Sequence, residues 1–170
     1  MMNMIAKLLG SGLILCSCTA IGFSYAGTIR RSRETAQLLY RYWSDFLQQM
    51  TLSAEPPGKI AATLGLRTAY TGFSFAQELG SRRQNGAFCD ILRSVIQSSA
   101  ELTDSMKKTL LPLTEALGRT PMQTEEQVLH SVLAAVRQEE KYWAERETRQ
   151  GTLSRRLGIL GGIVLVVLLI

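Results

Sequence analysis

Nineteen consecutive residues near the amino terminus, 8–26, carry no charge and read LLGSGLILCSCTAIGFSYA. As a helix that rises about 1.5 Å per residue, this run nearly matches a hydrocarbon core of about 30 Å. Three arginines, Arg30, Arg31 and Arg33, follow it closely. Because basic residues resist translocation and hold their flank in the cytoplasm, the pattern predicts a retained transmembrane helix over residues 4–26.

The same run also has features of a secretory signal peptide. Lys7 supplies a basic start, and Ser24-Tyr25-Ala26 is a passable cleavage site before Gly27. A second alternative takes the sequence CSC at 16–18 as the acylation site of a lipoprotein. Both alternatives meet the same objection, since the arginines lie within seven residues of the possible cut.

A second apolar run, LGILGGIVLVVLLI, occupies residues 157–170 and reaches only about 21 Å as a helix. A short span remains feasible because Arg155 and Arg156 can snorkel and the bilayer can thin. The alternative is a helix that dips into one leaflet. Together with Arg149, these arginines lie on the side of the run that faces the intervening domain, 28–156. The positive-inside rule therefore predicts that this domain is cytoplasmic.

Both apolar runs carry small residues at four-residue spacing. They are Cys18, Gly22 and Ala26 in the first run, and Gly158 and Gly162 in the second. Small residues at this spacing let helix backbones approach closely in lipid, where packing drives association. The pattern predicts a helix-pairing face, and plain lipid-exposed glycine is the alternative.

The residues between the two runs show helical periodicity. Apolar positions first recur at i, i+1, i+4 and i+5, which predicts an amphipathic helix that ends before Pro56. Its stripe consists of Leu38, Leu39, Tyr42, Trp43, Phe46, Leu47 and Met50. Further helical patterns occupy residues 59–64, 69–79, 88–96 and 102–117, with a break or kink at Pro112 and a stop at Gly118.

A last helix follows two sequences with capping-box spacing, TPMQ at 120–123 and TEEQ at 124–127. It becomes highly charged over residues 137–149 and is typical of an exposed stalk. No run alternates as a strand should. The predicted fold class is therefore all-α, a helical bundle flanked by an N-terminal and a short C-terminal membrane helix.

The distribution of charge and the cysteine content argue against a nucleic-acid-binding protein and against a disulfide-rich one. The net charge is +5, but between residues 28 and 156 there are 18 Lys and Arg against 14 Asp and Glu. Without the six arginines near the apolar runs, the balance is 12 against 14. No basic stripe remains that could follow a phosphate backbone, so nucleic-acid binding is not expected. Three cysteines give no disulfide framework, which fits a reducing compartment.

No grouping of residues suggests catalysis. His130 is the single histidine, which excludes a multi-histidine metal site. Phosphate-binding loops, CxxC and HExxH sequences are absent. The acidic pairs at 139–140 and 145–147 lie in a mixed-charge stretch and indicate a solvated helix face. We therefore expect no enzyme activity, no catalytic, cofactor-binding or metal-binding residues, no cofactor and no small-molecule substrate.

Several short sequences resemble the stage III sporulation protein AB family of endospore-forming bacteria. They are IGF at 21–23 with YA at 25–26, LGR at 117–119 followed by Gln127, and LGILGG at 157–162. The resemblance implies a membrane component of the channel-like assembly that links mother cell and forespore. It implies a location in the mother-cell membrane facing the forespore, with lipid and other stage III channel proteins as partners.

The domain of that family is similar to the helical domain of the inner-membrane platform protein of type II secretion systems. By that analogy, which is one of fold, the protein is a scaffold that docks a cytoplasmic ATPase, the stage III sporulation protein AA. The runner-up function is an envelope binding protein whose signal is removed and whose helical domain faces outward from a C-terminal anchor.

Overall fold

The computed structural model describes the backbone of residues 2–53, 55–82, 87–151 and 160. Side chains are described at these positions except at 2–16, 18, 19, 22, 150 and 151. The predicted sites Arg155, Arg156, Gly158 and Gly162 lie outside the described residues. All regular structure within the described ranges is helical, which confirms the all-α prediction for that part of the chain.

The helices follow one another with short connections. In chain order they are α1 (Met2–Ser53), α2 (Pro57–Gly65), α3 (Ser74–Ser81), α4 (Phe88–Ser98), α5 (Asp104–Leu110), α6 (Leu113–Ala116) and α7 (Met122–Arg146). A 3-10 turn, Thr68–Tyr70, precedes α3, and a π-helical turn, Glu147–Gly151, follows α7. Proline at the first position of α2 and the Thr103 hydroxyl, which accepts from the Met106 amide, fix two of the helix starts.

The chain divides into two compact units. Unit 1 consists of Met1–Arg33 and Tyr142–Ile170, and unit 2 of Glu34–Lys141. The domain bounds predicted from the sequence, 4–26, 28–156 and 157–170, remain predictions. The first helix gives residues to both units, because α1 (Met2–Ser53) crosses the boundary after Arg33. It also continues without a break through Gly27, where the sequence prediction separated two domains. One glycine lowers helix stability by only about 1 kcal/mol, which is too little to end a helix of this length.

Unit 2 has an aromatic core. Trp43 and Phe46, which share the predicted stripe of α1, are fully buried, as expected from the sequence. Tyr42 contacts both of them and also meets three aromatic residues from beyond α2. These three are Tyr70, Phe73 and Phe75. Edge-to-face pairs of this kind add to simple area burial, so the cluster fixes α1 against the α2–α3 region.

The helical pattern at 69–79 was predicted as one stripe, and the structure divides it. Thr68–Tyr70 form a 3-10 turn, and Phe73, with φ −111° and ψ 95°, is extended and immediately precedes α3. Tyr70 and Phe73 are nevertheless both buried. The spacing of the apolar residues correctly predicts that these positions are buried. The prediction of a single helical stripe is wrong, because buried positions across a turn can mimic helical spacing.

Helices α2 and α3 cross at two glycines. A Cβ on Gly65 would lie 2.9 Å from the carbonyl oxygen of Ala76 and 3.1 Å from the Cα of Gly80. A Cβ on Gly80 would lie 2.9 Å from the carbonyl oxygen of Ala61. Only glycine at these two positions permits this backbone approach.

Candidate functional site

Unit 1 brings together the helix segments that adjoin the two apolar runs. The Arg33 guanidinium donates to the Glu147 carboxylate at 2.7 Å, and both side chains are partly buried. Ala26 and Ile29, on α1, are each 3% exposed. The packing therefore joins residues on α1 to the segment just after α7.

Aromatic and arginine side chains also gather in unit 1. The Arg146 guanidinium lies 5.7 Å from the ring centre of Tyr142 and 5.5 Å from that of Trp143. It donates to the Tyr142 hydroxyl at 2.8 Å and reaches the Tyr25 hydroxyl at 3.5 Å. Tyrosine, tryptophan and arginine are the residues that favour the boundary between a bilayer and water.

The predicted topology residues within the described range lie mostly at the surface. Arg30, Arg31 and Arg149 are exposed, whereas Arg33 is half-buried in its ion pair. Ala26, a predicted helix-packing residue, is buried. At Gly22 only the backbone is described, as part of α1.

Among the described residues, no helix combines the length and the hydropathy needed to cross a membrane. The C-terminal membrane helix predicted over 157–170 lies outside the described residues except at Leu160. The N-terminal one, over 4–26, has few described side chains. Both stay predictions.

A surface groove of about 520 Å³ runs between α1 and α7 in unit 2. Its lining comprises Tyr40, Ser44 and Leu47 from α1, and His130, Leu133, Ala134, Arg137, Gln138 and Lys141 from α7. Of the lining residues on α7 only Leu133 is buried, at 9% exposure, so it forms an apolar floor. The lined length of α7, twelve residues from His130 to Lys141, corresponds to roughly 16 Å, or three helical turns.

The groove is basic. Arg137 and Lys141 line it, and no aspartate or glutamate does. The Arg137 guanidinium lies 5.9 Å from the ring centre of Tyr40, across from its own helix, which holds the charge over the groove. Within the described residues, no carboxylate lies within ion-pair distance of Arg137 or Lys141. The two charges are therefore available to a ligand.

Only some of the other basic residues in the described part of unit 2 have a carboxylate partner, and Arg93 and Lys108, which lie outside the groove, have no ion pair either. Four basic residues form ion pairs within the unit: Lys59 with Glu55, Arg67 with Asp45, Arg82 with Glu78, and Arg119 with Asp90. The charges in the groove differ from these four in having no such partner. Sequence reasoning treated this part of α7 as a solvated stalk and did not identify the groove.

A second polar cluster fixes the start of α7. Gly118 has a φ of +79°, as its predicted role as a helix stop requires, and its amide donates to the buried Glu125 carboxylate at 2.6 Å. The Cys89 thiol donates to the carbonyl of Leu117, and burial raises the pKa of this thiol. Neither predicted capping box forms as expected, since α7 begins at Met122, after Pro121.

The described side chains do not form a recognisable catalytic or metal-binding group. No group of three histidine, cysteine or acidic residues could hold a metal ion in the part of the chain that was described. His130 is exposed in the groove. One acid of each pair has a structural partner: Glu147 binds Arg33, and Glu139 accepts from the Ser105 hydroxyl. The absence of enzyme activity stays a prediction.

The described residues thus form an all-helical protein with a basic groove in unit 2 and a cluster of aromatic and arginine side chains in unit 1. The family model for stage III sporulation protein AB matches residues 7–170. The chain belongs to this family, as the sequence resemblance predicted, and the family is one of sporulation proteins and not a known enzyme family. No curated protein and no solved structure matches the chain.

Proposed function

We propose that this protein is a membrane-anchored scaffold of the channel-like, secretion-type complex between mother cell and forespore, and that its helical unit docks a cytoplasmic ATPase. Membership in the family supports the sporulation role. The mother-cell membrane, the cytoplasmic orientation of unit 2 and the stage III sporulation protein AA ATPase as partner are parts of the proposal.

The distribution of charge between the two units is the observation that carries the anchoring role. Unit 1 contains 8 Lys and Arg against 2 Asp and Glu, whereas unit 2 contains 11 against 12. The excess positive charge therefore lies beside the two apolar runs, where it favours a cytoplasmic flank and binds anionic headgroups. The clustering of Tyr25, Tyr142 and Trp143 around Arg146 in the same unit supports a position at the bilayer surface.

Cysteine accessibility tests the topology. In a variant without native cysteines, Lys108→Cys places a thiol on an exposed position of unit 2. An impermeant thiol reagent should label it only after cells are opened. Labelling in intact cells would support the outward-facing alternative. The intact mass gives an independent answer, because that alternative removes about 26 residues, including Lys7, from the N-terminus.

Deletion in a spore-forming host tests the sporulation role. Development should stop after engulfment begins, while vegetative growth continues. Restoring the full chain should restore spores, which ties the defect to the loss of this protein. A normal spore count after deletion would remove the sporulation function from the proposal, although the anchored helical unit would still stand.

A further inference from the structure

We infer that the groove between α1 and α7 is the docking surface of unit 2, and that its occupant is an acidic amphipathic helix of a partner protein. This inference rests on the proposed scaffold function and deepens it. It adds the surface and the chemistry of the partner segment, neither of which follows from family membership.

The shape of the groove fits a helix. Ser44 on α1 and Ala134 on α7 are small residues that line the groove, between the larger Tyr40 and Leu47 on one side and His130 and Arg137 on the other. Small residues at this position allow the backbone of an incoming helix to approach closely. An amphipathic helix of about three turns matches the lined length, with apolar anchors on the Leu47 and Leu133 surface.

The charge of the groove selects an acidic occupant. Arg137 and Lys141 lie four residues apart on α7, so their side chains project from one face and are spaced by one turn. Carboxylates one turn apart on a partner helix can face both charges at once. The Tyr40 and Ser44 hydroxyls add hydrogen-bonding groups at the opposite wall. Charge pairs of this kind raise association rates and fix the register of the partner.

Other occupants fit less well. A small anionic ligand needs a site that buries most of its surface, whereas His130, Ala134, Arg137, Gln138 and Lys141 are all exposed. A nucleic acid needs a longer row of cations than two. An acidic helix uses the full length of the groove together with both its apolar floor and its charges.

Binding measurements test the inference with the full chain in lipid nanodiscs. The probe is the purified stage III sporulation protein AA ATPase, the partner in the proposed function. Arg137→Glu with Lys141→Glu should weaken binding at least tenfold and flatten its salt dependence. Arg93→Glu with Lys108→Glu makes the same change in net charge at exposed positions outside the groove and should stay within about twofold.

A neutral variant controls for repulsion and for folding. Arg137→Gln with Lys141→Gln removes the charges without adding like charge, so it should lose affinity but less than the reversal. Ala134→Leu fills the groove and should weaken binding with the charges intact. All variants should melt at temperatures close to that of the parent, which shows that unit 2 remains folded. If the parent binds the ATPase and every variant binds equally well, the groove is not the docking surface, while the docking function stands.

If the parent does not bind the ATPase, the proposed partner is wrong, and a second measurement then decides the inference. A photo-crosslinking amino acid at Gln138 in sporulating cells should capture a peptide whose sequence is acidic and amphipathic, whereas the same amino acid at Arg93 should not capture it. Identification of that peptide by mass spectrometry supports the inference. No groove-specific product, a lipid adduct, or a peptide without excess negative charge overturns it.

Discussion

Replacing Gly65 with alanine should destabilise unit 2, although alanine is the better helix former. The new Cβ would lie 2.9 Å from the carbonyl oxygen of Ala76 and 3.1 Å from the Cα of Gly80. Both are backbone atoms, so the contact is relieved only if α2 and α3 separate. Overpacking costs about 1 to 3 kcal/mol, and the higher helix propensity of alanine returns at most about 1 kcal/mol. We expect a net loss of about 1 to 2 kcal/mol.

Urea and thermal unfolding of the full chain in detergent, followed by circular dichroism, measure this loss. A change of 1 kcal/mol moves the melting temperature of a domain of about 100 residues by about 4 to 8 °C. Gly72→Ala is the matched control, since its Cβ would meet nothing within 4 Å. It should leave the free energy of unfolding unchanged or raise it by up to about 1 kcal/mol.

The Gly80 position gives a second test of the same crossing. Gly80→Ala should destabilise by a similar amount, and the double variant should lose less than the sum of the two, because one separation of the helices relieves both clashes. The reasoning is refuted if Gly65→Ala and Gly72→Ala have the same effect, because the crossing then loosens at no cost.

Four further predictions concern buried side chains. Tyr42→Phe should leave the free energy of unfolding at pH 7 unchanged or raise it by up to about 1 kcal/mol, because the buried Tyr42 hydroxyl has no hydrogen-bond partner among the described residues. Tyr70→Phe should instead lower it by about 1 to 2 kcal/mol, because the variant loses the 2.8 Å hydrogen bond to Asp45. Burial raises the pKa of both tyrosines above their ordinary value of 10.0, so these tyrosines ionise first in the unfolded chain and the free energy of unfolding should fall as the pH rises past 10. Tyr42→Phe should flatten this pH dependence by up to about 1.4 kcal/mol per pH unit. An unchanged slope would contradict the burial of the Tyr42 hydroxyl. Trp43→Ala should cost about 3 to 5 kcal/mol in chemical denaturation, and a melting temperature equal to the parent's would place this side chain at the surface. Because burial raises the pKa of the Cys89 thiol, iodoacetamide at pH 8 should modify it only after unfolding, and modification of the folded protein at the unfolded rate would disprove its burial.

Several features could be predicted from the sequence because they belong to a single helix. The stripe that contains Trp43 and Phe46 identifies the buried face of α1, since burial of a helix follows its own period. Gly118 as a helix stop follows from its freedom to adopt a positive φ. The resemblance of the short sequences at 21–26, 117–119 and 157–162 likewise predicted the family that the chain belongs to.

Features that involve two helices were missed. The crossing at Gly65 and Gly80 had a signal in the sequence, because each glycine follows an alanine, Ala61 or Ala76, by four residues. Small residues at this spacing show that a helix can approach another closely, but they do not show which helix it meets.

The amino-acid sequence alone determined the helical class, the buried stripe of α1, and the apolar runs with their arginines, because each depends on residues that are neighbours along one element. Only the tertiary structure decided that Arg33 meets Glu147, 114 positions away, and that Arg137 lies over Tyr40 in a groove with no carboxylate in its lining. The physical reason is that the residue type alone gives a side chain its charge, whereas its ion-pair partner depends on how distant helices pack. Whether a cation is neutralised or left available for binding is therefore settled by the fold.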